Sequence, residues 1–252
     1  MGNFASIEIN KMWKNRRYIT VVVMITAFLI LSFFITYYAP SDSDNLLLYY
    51  YHIFAINSKL LFPLAITALF GPMIISEYRN KTIKLLWGSQ FDKKEVFLGK
   101  FLCGFIYFSV IFISLITIYM VISGIFFGKL SNIQTKTTII YKSELIKRSV
   151  VILISELTYL FCFASFVCLI SIITKNQVLT FAIAISIILL YSFVPIPSSI
   201  SKYIFLNGGL LHTALALESF PYLDVFRTCL INITTMNIFL ILGVLISDKQ
   251  QL

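Results

Sequence analysis

Residues 75–101 read ISEYRNKTIKLLWGSQFDKKEVFLGKF, a charged island between two long apolar runs. Its section 77–100 carries six basic residues, Arg79, Lys81, Lys84, Lys93, Lys94 and Lys100. Between them sits a short apolar helix signal, Ile83, Leu85, Leu86 and Trp87. A solvated loop has no use for these side chains, because exposed Trp and Leu call for a partner or a lipid surface. Residues 82–87 can form about one and a half helical turns with Ile83, Leu86 and Trp87 on one side. Downstream, Asp92 and Glu95 have the spacing of a capping box that opens the next helix. The island therefore reads as a cytoplasmic loop that touches another protein. The plainer alternative is that Trp87 dips into the lipid headgroups.

The apolar runs on either side decide the class. Mean hydropathy is +0.90, and 59% of the 252 residues are hydrophobic against 12% charged. Soluble domains carry roughly 25% charged residues, so a soluble fold is excluded. A helix needs about 20 apolar residues to cross a bilayer, and six segments qualify, at roughly 18–38, 53–76, 97–127, 149–174, 177–196 and 225–247. The expected fold is all-α: a single transmembrane domain over 1–252 with six spans. Spans four and five should form a hairpin about the turn at 174–177. The apolar stretch 200–217 is interrupted by Lys202, Asn207-Gly208-Gly209 and His212, which points to a re-entrant helical pair within an extracellular segment at 197–224.

Basic residues test the orientation. With the N-terminus inside, twelve Lys/Arg fall on the cytoplasmic side and eight outside. The flank of the first span is the clearest signal: Lys11, Lys14, Arg16 and Arg17 precede it, and Asp42 and Asp44 follow it. Both termini are expected in the cytoplasm of a multi-pass cell-membrane protein. Before the first span, Ala5, Ile9, Met12 and Trp13 share one helical face, with Lys11, Lys14 and Arg17 away from it. Residues 2–17 therefore read as an interfacial elbow helix against membrane lipids. The mixed composition of this leader and the length of the first run argue for a retained anchor, not a cleaved signal.

The net charge of +9 invites a nucleic-acid reading, but the basic residues flank apolar spans and form no stripe. Orientation and anionic lipid account for them, and no nucleic-acid partner is expected. Cys103, Cys162, Cys168 and Cys229 lie in apolar runs without metal spacing, so they read as small buried residues. Enzyme signatures are missing as well: there is no HExxH, no GxSxG and only two histidines. The sequence GIFFGK at 124–129 has three residues between its glycines where a P-loop has four, and it ends an apolar helix. No catalytic residue, metal site or cofactor is assigned to this chain. Glu156 is the acidic residue deepest in a predicted span. It must face the bundle interior or a cavity, as part of a translocation path or gate or as a structural hydrogen-bonding group.

The run Glu77, Lys81-Thr82, Leu85-Leu86, Gln90, Lys93 and Gly99-Lys100 resembles the first cytoplasmic loop of ABC-2-type transporter permeases. That loop tends to show Glu, Gly-Thr, a Leu pair, a Pro, a basic residue and Gly-Lys in this order. Here Lys81 stands where Gly is usual, and the Pro is missing. The layout of elbow helix, six spans and a re-entrant pair is similar to the same family across nearly the whole chain.

The resemblance implies a permease subunit of an ATP-driven exporter, paired with a second permease copy as a homo- or heterodimer. It would dock two cytosolic ABC ATPase subunits that bind ATP and Mg. The coupling loop at 77–98 would contact them through Glu77, Lys81, Thr82, Ile83, Leu85, Leu86 and Trp87. The elbow helix would join in through Ile9, Met12, Trp13, Arg16 and Arg17. Small permeases of Gram-positive peptide exporters are the nearest in size, including lantibiotic and bacitracin self-protection systems and the phenol-soluble-modulin exporter. They imply an amphipathic peptide as cargo. Two readings from other classes stand beside this one: an ion-gradient-driven secondary transporter or channel, and a non-transporting membrane immunity or sensor protein.

Overall fold

The computed structural model describes residues 12, 14, 16–38, 57–79, 93–126, 133–134, 139–194, 203–206 and 219–249. They form six long helices: α1 Arg16–Tyr38, α2 Phe62–Arg79, α3 Lys93–Phe126, α4 Lys142–Thr174, α5 Gln177–Phe193 and α6 Tyr222–Lys249. A π-helical turn, Asn57–Leu61, leads directly into α2. Between α3 and α4, β1 Ile133–Gln134 pairs antiparallel with β2 Ile139–Ile140, a small hairpin that the apolar pattern gave no reason to expect.

Five of these helices, α2 counted with its π turn, are long and apolar enough to cross a membrane; α5, at 17 residues, is shorter. The all-α polytopic expectation therefore holds, with differences at the helix ends. α4 begins at Lys142, earlier than the apolar run at 149, because Lys142–Arg148 continue the helix beyond the lipid-compatible stretch. α3 has 34 residues, or about 50 Å of helix. The hydrocarbon core is about 30 Å thick, so α3 must tilt or project beyond it. The island at 77–98 is also narrower than its charge suggests, since α2 runs through Arg79 and α3 starts at Lys93.

Helix directions follow from paired contacts. Ser58 lies beside Glu156, and Ser171 Oγ donates to the Gly71 carbonyl at 3.4 Å. Numbers rise together in both pairs, so α2 and α4 run parallel. Thr158 meets Cys229 and Phe166 meets Phe239, which makes α4 and α6 parallel too. Lys94 pairs with Asp248, and Phe97 lies against Gly243, so α3 and α6 are antiparallel.

α4 is the central helix. Of its span 72% is buried, against 11% for α6 on the periphery. The main apolar cluster is aromatic: Phe62 meets Phe112 edge-on at 5.0 Å, and Phe108 stacks on Phe112 at 5.4 Å. Such pairs add roughly 0.5–1.5 kcal/mol each to simple burial. Outward-facing Val23, Phe34, Leu190, Phe193 and Ile241 remain exposed, as suits helices whose solvent on that side is lipid. Cys103, Cys162 and Cys168 are buried and reduced, as expected of small apolar residues, and Cys229 is half-buried.

Candidate functional site

The turn joining α4 to α5 fixes one end of the bundle. Lys175 adopts the left-handed conformation (φ 50°) and its N–H bonds to the Ser171 carbonyl at 3.1 Å. Asn176 then caps α5, its side-chain oxygen accepting from the N–H groups of Val178 at 2.9 Å and Leu179 at 3.4 Å. This is the hairpin expected at 174–177.

Toward the other end of α2 and α4 lies a buried polar cluster. Ser32 on α1 donates to the Phe28 carbonyl at 2.8 Å and accepts from Asn57 Nδ2 at 2.6 Å. Asn57 and Ser58 are fully buried in the π turn. A π turn widens the helical register, and such turns recur at functional sites. Here it brings two consecutive polar side chains into the bundle where one would normally face away. Ser58 is the polar neighbour of the Glu156 carboxyl, although its hydroxyl makes no hydrogen bond there. Tyr159, one turn along α4, is buried within electrostatic reach of both Glu156 and Tyr191 of α5.

Glu156 faces the interior, as its depth required, and is 1% exposed. Its Oε1, Ser58 Oγ and Ser155 Oγ have no hydrogen-bond partner among the described residues. A carboxylate at mid-membrane costs at least about 2.5 kcal/mol on insertion scales, and each unpaired buried hydroxyl adds about 1–3 kcal/mol. Unpaired buried oxygens of this kind are retained at a real cost in stability. On the opposite side of α4, Asn232 of α6 is also fully buried with its side-chain amide unpartnered.

Sequence reasoning found Glu156 but missed Ser32, Asn57, Ser58, Ser155, Tyr159 and Tyr191. One signal was available: the polar Asn57-Ser58-Lys59 triplet inside an otherwise apolar run. Among the described residues, no group of three His, Cys, Asp or Glu could hold a metal.

The end that carries the charged island is only partly described. Lys81, Thr82, Ile83, Leu85, Leu86 and Trp87 lie outside the described residues, as do Ile9 and Trp13. Glu77 belongs to the last turn of α2, and Arg16 and Arg17 open α1. Met12 is fully buried in the main apolar cluster, while Lys14 is exposed. Of the 197–224 segment, Phe205 packs against Phe166 and Phe239 at 6.1 and 5.7 Å, and Arg227 lies over the Tyr203 ring at 4.5 Å.

The sequence profile of the ABC-2 family transporter protein matches residues 6–194. The chain belongs to the ABC-2 transporter family. The match runs from the elbow segment through α5 and takes in both the charged island and the Glu156 cluster. An ABC-2 chain is the transmembrane component of an ABC transporter and associates with ABC ATPase partners. Among curated proteins, none matches the chain significantly.

Proposed function

We propose that this ABC-2 permease drives export of an amphipathic peptide out of the cell, powered by two cytosolic ATPase subunits that hold ATP and Mg. The functional unit contains two permease copies, and both termini face the cytoplasm. The observation that carries the permease part of this reading is the family match across residues 6–194; the peptide cargo rests on the resemblance in sequence and size alone. The match spans the island whose apolar triad, Ile83, Leu86 and Trp87, has the chemistry of a docking helix. At the same end, the ion pair between Lys94 and Asp248 joins the first turn of α3 to the last turn of α6.

Two measurements test the proposal. The detergent-solubilised chain should co-purify an ATPase subunit from its native membrane, and Leu86→Ala with Trp87→Ala should abolish that association. Inside-out vesicles should take up an amphipathic peptide with ATP and not with a non-hydrolysable analogue. An unaffected double variant removes the docking role. The buried Glu156 favours a second reading, transport driven by an ion gradient. Uptake that survives ATP depletion and collapses with an uncoupler would establish that reading instead.

A further inference from the structure

α1 and α3 run side by side without closing on each other along their whole length. Tyr18 meets Tyr107 edge-on at 5.9 Å, and Phe33 meets Tyr119 edge-on at 6.2 Å. Numbers rise together in both pairs, so these two helices are parallel. Beside the second contact they leave a groove of about 230 Å³, lined from Thr26 to Phe34 on α1 and from Leu115 to Ile122 on α3. Its floor is buried at Leu29 and Tyr119, while its rim is exposed at Ile30, Phe34, Ile118 and Ile122. The groove therefore opens on the outer surface of the bundle, where the surrounding medium is hydrocarbon. Carbon lines it almost throughout, and the Thr26 hydroxyl is already spent on the Val22 carbonyl at 2.8 Å. It lies toward the C-terminal ends of both spans, remote from the charged island that precedes α3.

We infer that this groove holds one acyl chain of a membrane lipid, drawn from the leaflet remote from the charged island. Its dimensions select the occupant. The lined stretches, 26–34 and 115–122, run about 12 Å along each helix. Spreading about 230 Å³ over that length leaves a cross-section of about 20 Å². A single hydrocarbon chain, whose carbons meet their neighbours at about 3.5–4.0 Å, has a section of this size. An α-helix with its side chains is about 10–12 Å across, roughly four times too large in section, so no helix of a second permease copy seats here. A polar ligand would find almost nothing in the lining to hydrogen-bond. The groove also runs along the helix axes, the direction in which lipid tails stand in a bilayer. Between groups already in lipid there is no hydrophobic driving force, so retention rests on van der Waals contact. Left empty, the groove would forfeit those contacts along its floor. None of this depends on the cargo or on an ATPase partner.

The full chain in phosphatidylcholine nanodiscs, doped with a phosphatidylcholine that carries a diazirine at mid-tail, provides the test. Peptide mass spectrometry after irradiation locates the adducts. Ile30 and Ile118 are 51% and 55% exposed; Phe226 and Leu230, in the half of α6 toward the same membrane face, match them at 63% and 48%. Freely exchanging lipid should label all four alike. A retained chain should label Ile30 and Ile118 at least about fivefold more than the α6 pair, a preference of about 1 kcal/mol. Ile30→Trp, at an exposed position, fills the groove from its rim and should bring labelling at Ile118 down to the α6 level. Ile118→Trp should do the same for Ile30 and serves if the first variant fails to fold. Equal labelling of the groove and α6 in the wild type means ordinary annular lipid and overturns the inference. Labelling of the groove below α6 also overturns it, because a protein segment, a second copy included, would then cover the site. Undiminished labelling in the filled variants does so as well, since the adducts would not come from the groove.

Discussion

Lys94 Nζ and Asp248 Oδ2 stand 3.0 Å apart, joining the first turn of α3 to the last turn of α6. Both side chains are substantially exposed, at 57% and 35%, so solvent screens the pair. It contributes no more than about 1 kcal/mol to stability. Asp248→Lys, which sets two cations side by side, should lower the unfolding midpoint slightly at low salt and hardly at all at high salt. Adding Lys94→Asp should restore it. Thermal unfolding in detergent at two ionic strengths makes the comparison. A large, salt-independent loss would mean that the pair is shielded by some other part of the protein.

One turn further along the same contact, the helices are closer than a side chain allows. A Cβ built on Gly243 would come within 2.7 Å of the Phe97 ring, and, where α3 meets α2, one on Gly104 would come within 2.7 Å of the Phe70 ring. Phe97 and Phe70 are themselves buried, so their rings have little room to swing away. Gly243→Ala and Gly104→Ala should each cost about 1–3 kcal/mol through overpacking. Combining Gly243→Ala with Phe97→Leu should return part of the loss, since the smaller side chain vacates the clash. Simple addition of the two penalties would show that the ring is not what the new methyl meets.

The two glycines also show where sequence reasoning stops. The spans were legible because a bilayer-crossing helix must carry about 20 apolar residues in a row, and α1, α2 and α3 lie close to where those runs fall. The α4–α5 turn was legible because Thr174-Lys175-Asn176-Gln177 separates two apolar runs, while the capping role of Asn176 emerged only in the structure. Helix ends were harder to place. Lys142–Arg148 are polar yet helical, and hydropathy senses the lipid, not the backbone. The buried cluster was harder still, since its geometry bonds Asn57 to Ser32 and sets Ser58 beside Glu156, residues far apart in the chain. A lone glutamate in an apolar run signals that something must face it without saying what. The proposed docking residues 81–87 lie outside the described structure, so their chemistry rests on their sequence pattern.

The polar head of α4 is tied to α6 by a small network that can be dismantled piece by piece. Glu144 Oε1 accepts from Tyr222 Oη at 2.7 Å and from Arg148 Nε at 3.2 Å. The Arg148 guanidinium also lies over the Phe220 ring at 5.4 Å. Glu144 is partly open to solvent while Arg148 is 6% exposed, so the two ends of the network differ in weight. Tyr222→Phe removes one hydrogen bond at the wetter end and should cost about 1 kcal/mol. Arg148→Ala removes a buried charge-assisted bond and a cation–π contact together, and should cost about 2–4 kcal/mol. Comparing unfolding midpoints of the two variants checks the order. A tyrosine variant as damaging as the arginine variant would place the anchor at α6 instead of α4.

The turn between α4 and α5 makes the last prediction, with two neighbouring residues expected to act in opposite directions. Lys175 holds φ 50°, a conformation that costs a residue with a side chain roughly 1–2 kcal/mol and glycine far less. Lys175→Gly should therefore be neutral to stabilising, with the flexibility gained by the unfolded chain offsetting part of the relief. Asn176 caps α5 through Oδ1, and Asn176→Ala should cost about 1 kcal/mol. Because α5 is the shortest of the six helices at 17 residues, loss of its cap should appear locally as well as globally. Amide hydrogen exchange should accelerate at Val178 and Leu179 in Asn176→Ala and stay unchanged there in Lys175→Gly. Equal exchange at those two amides in both variants would show that the side-chain cap does not hold the start of α5.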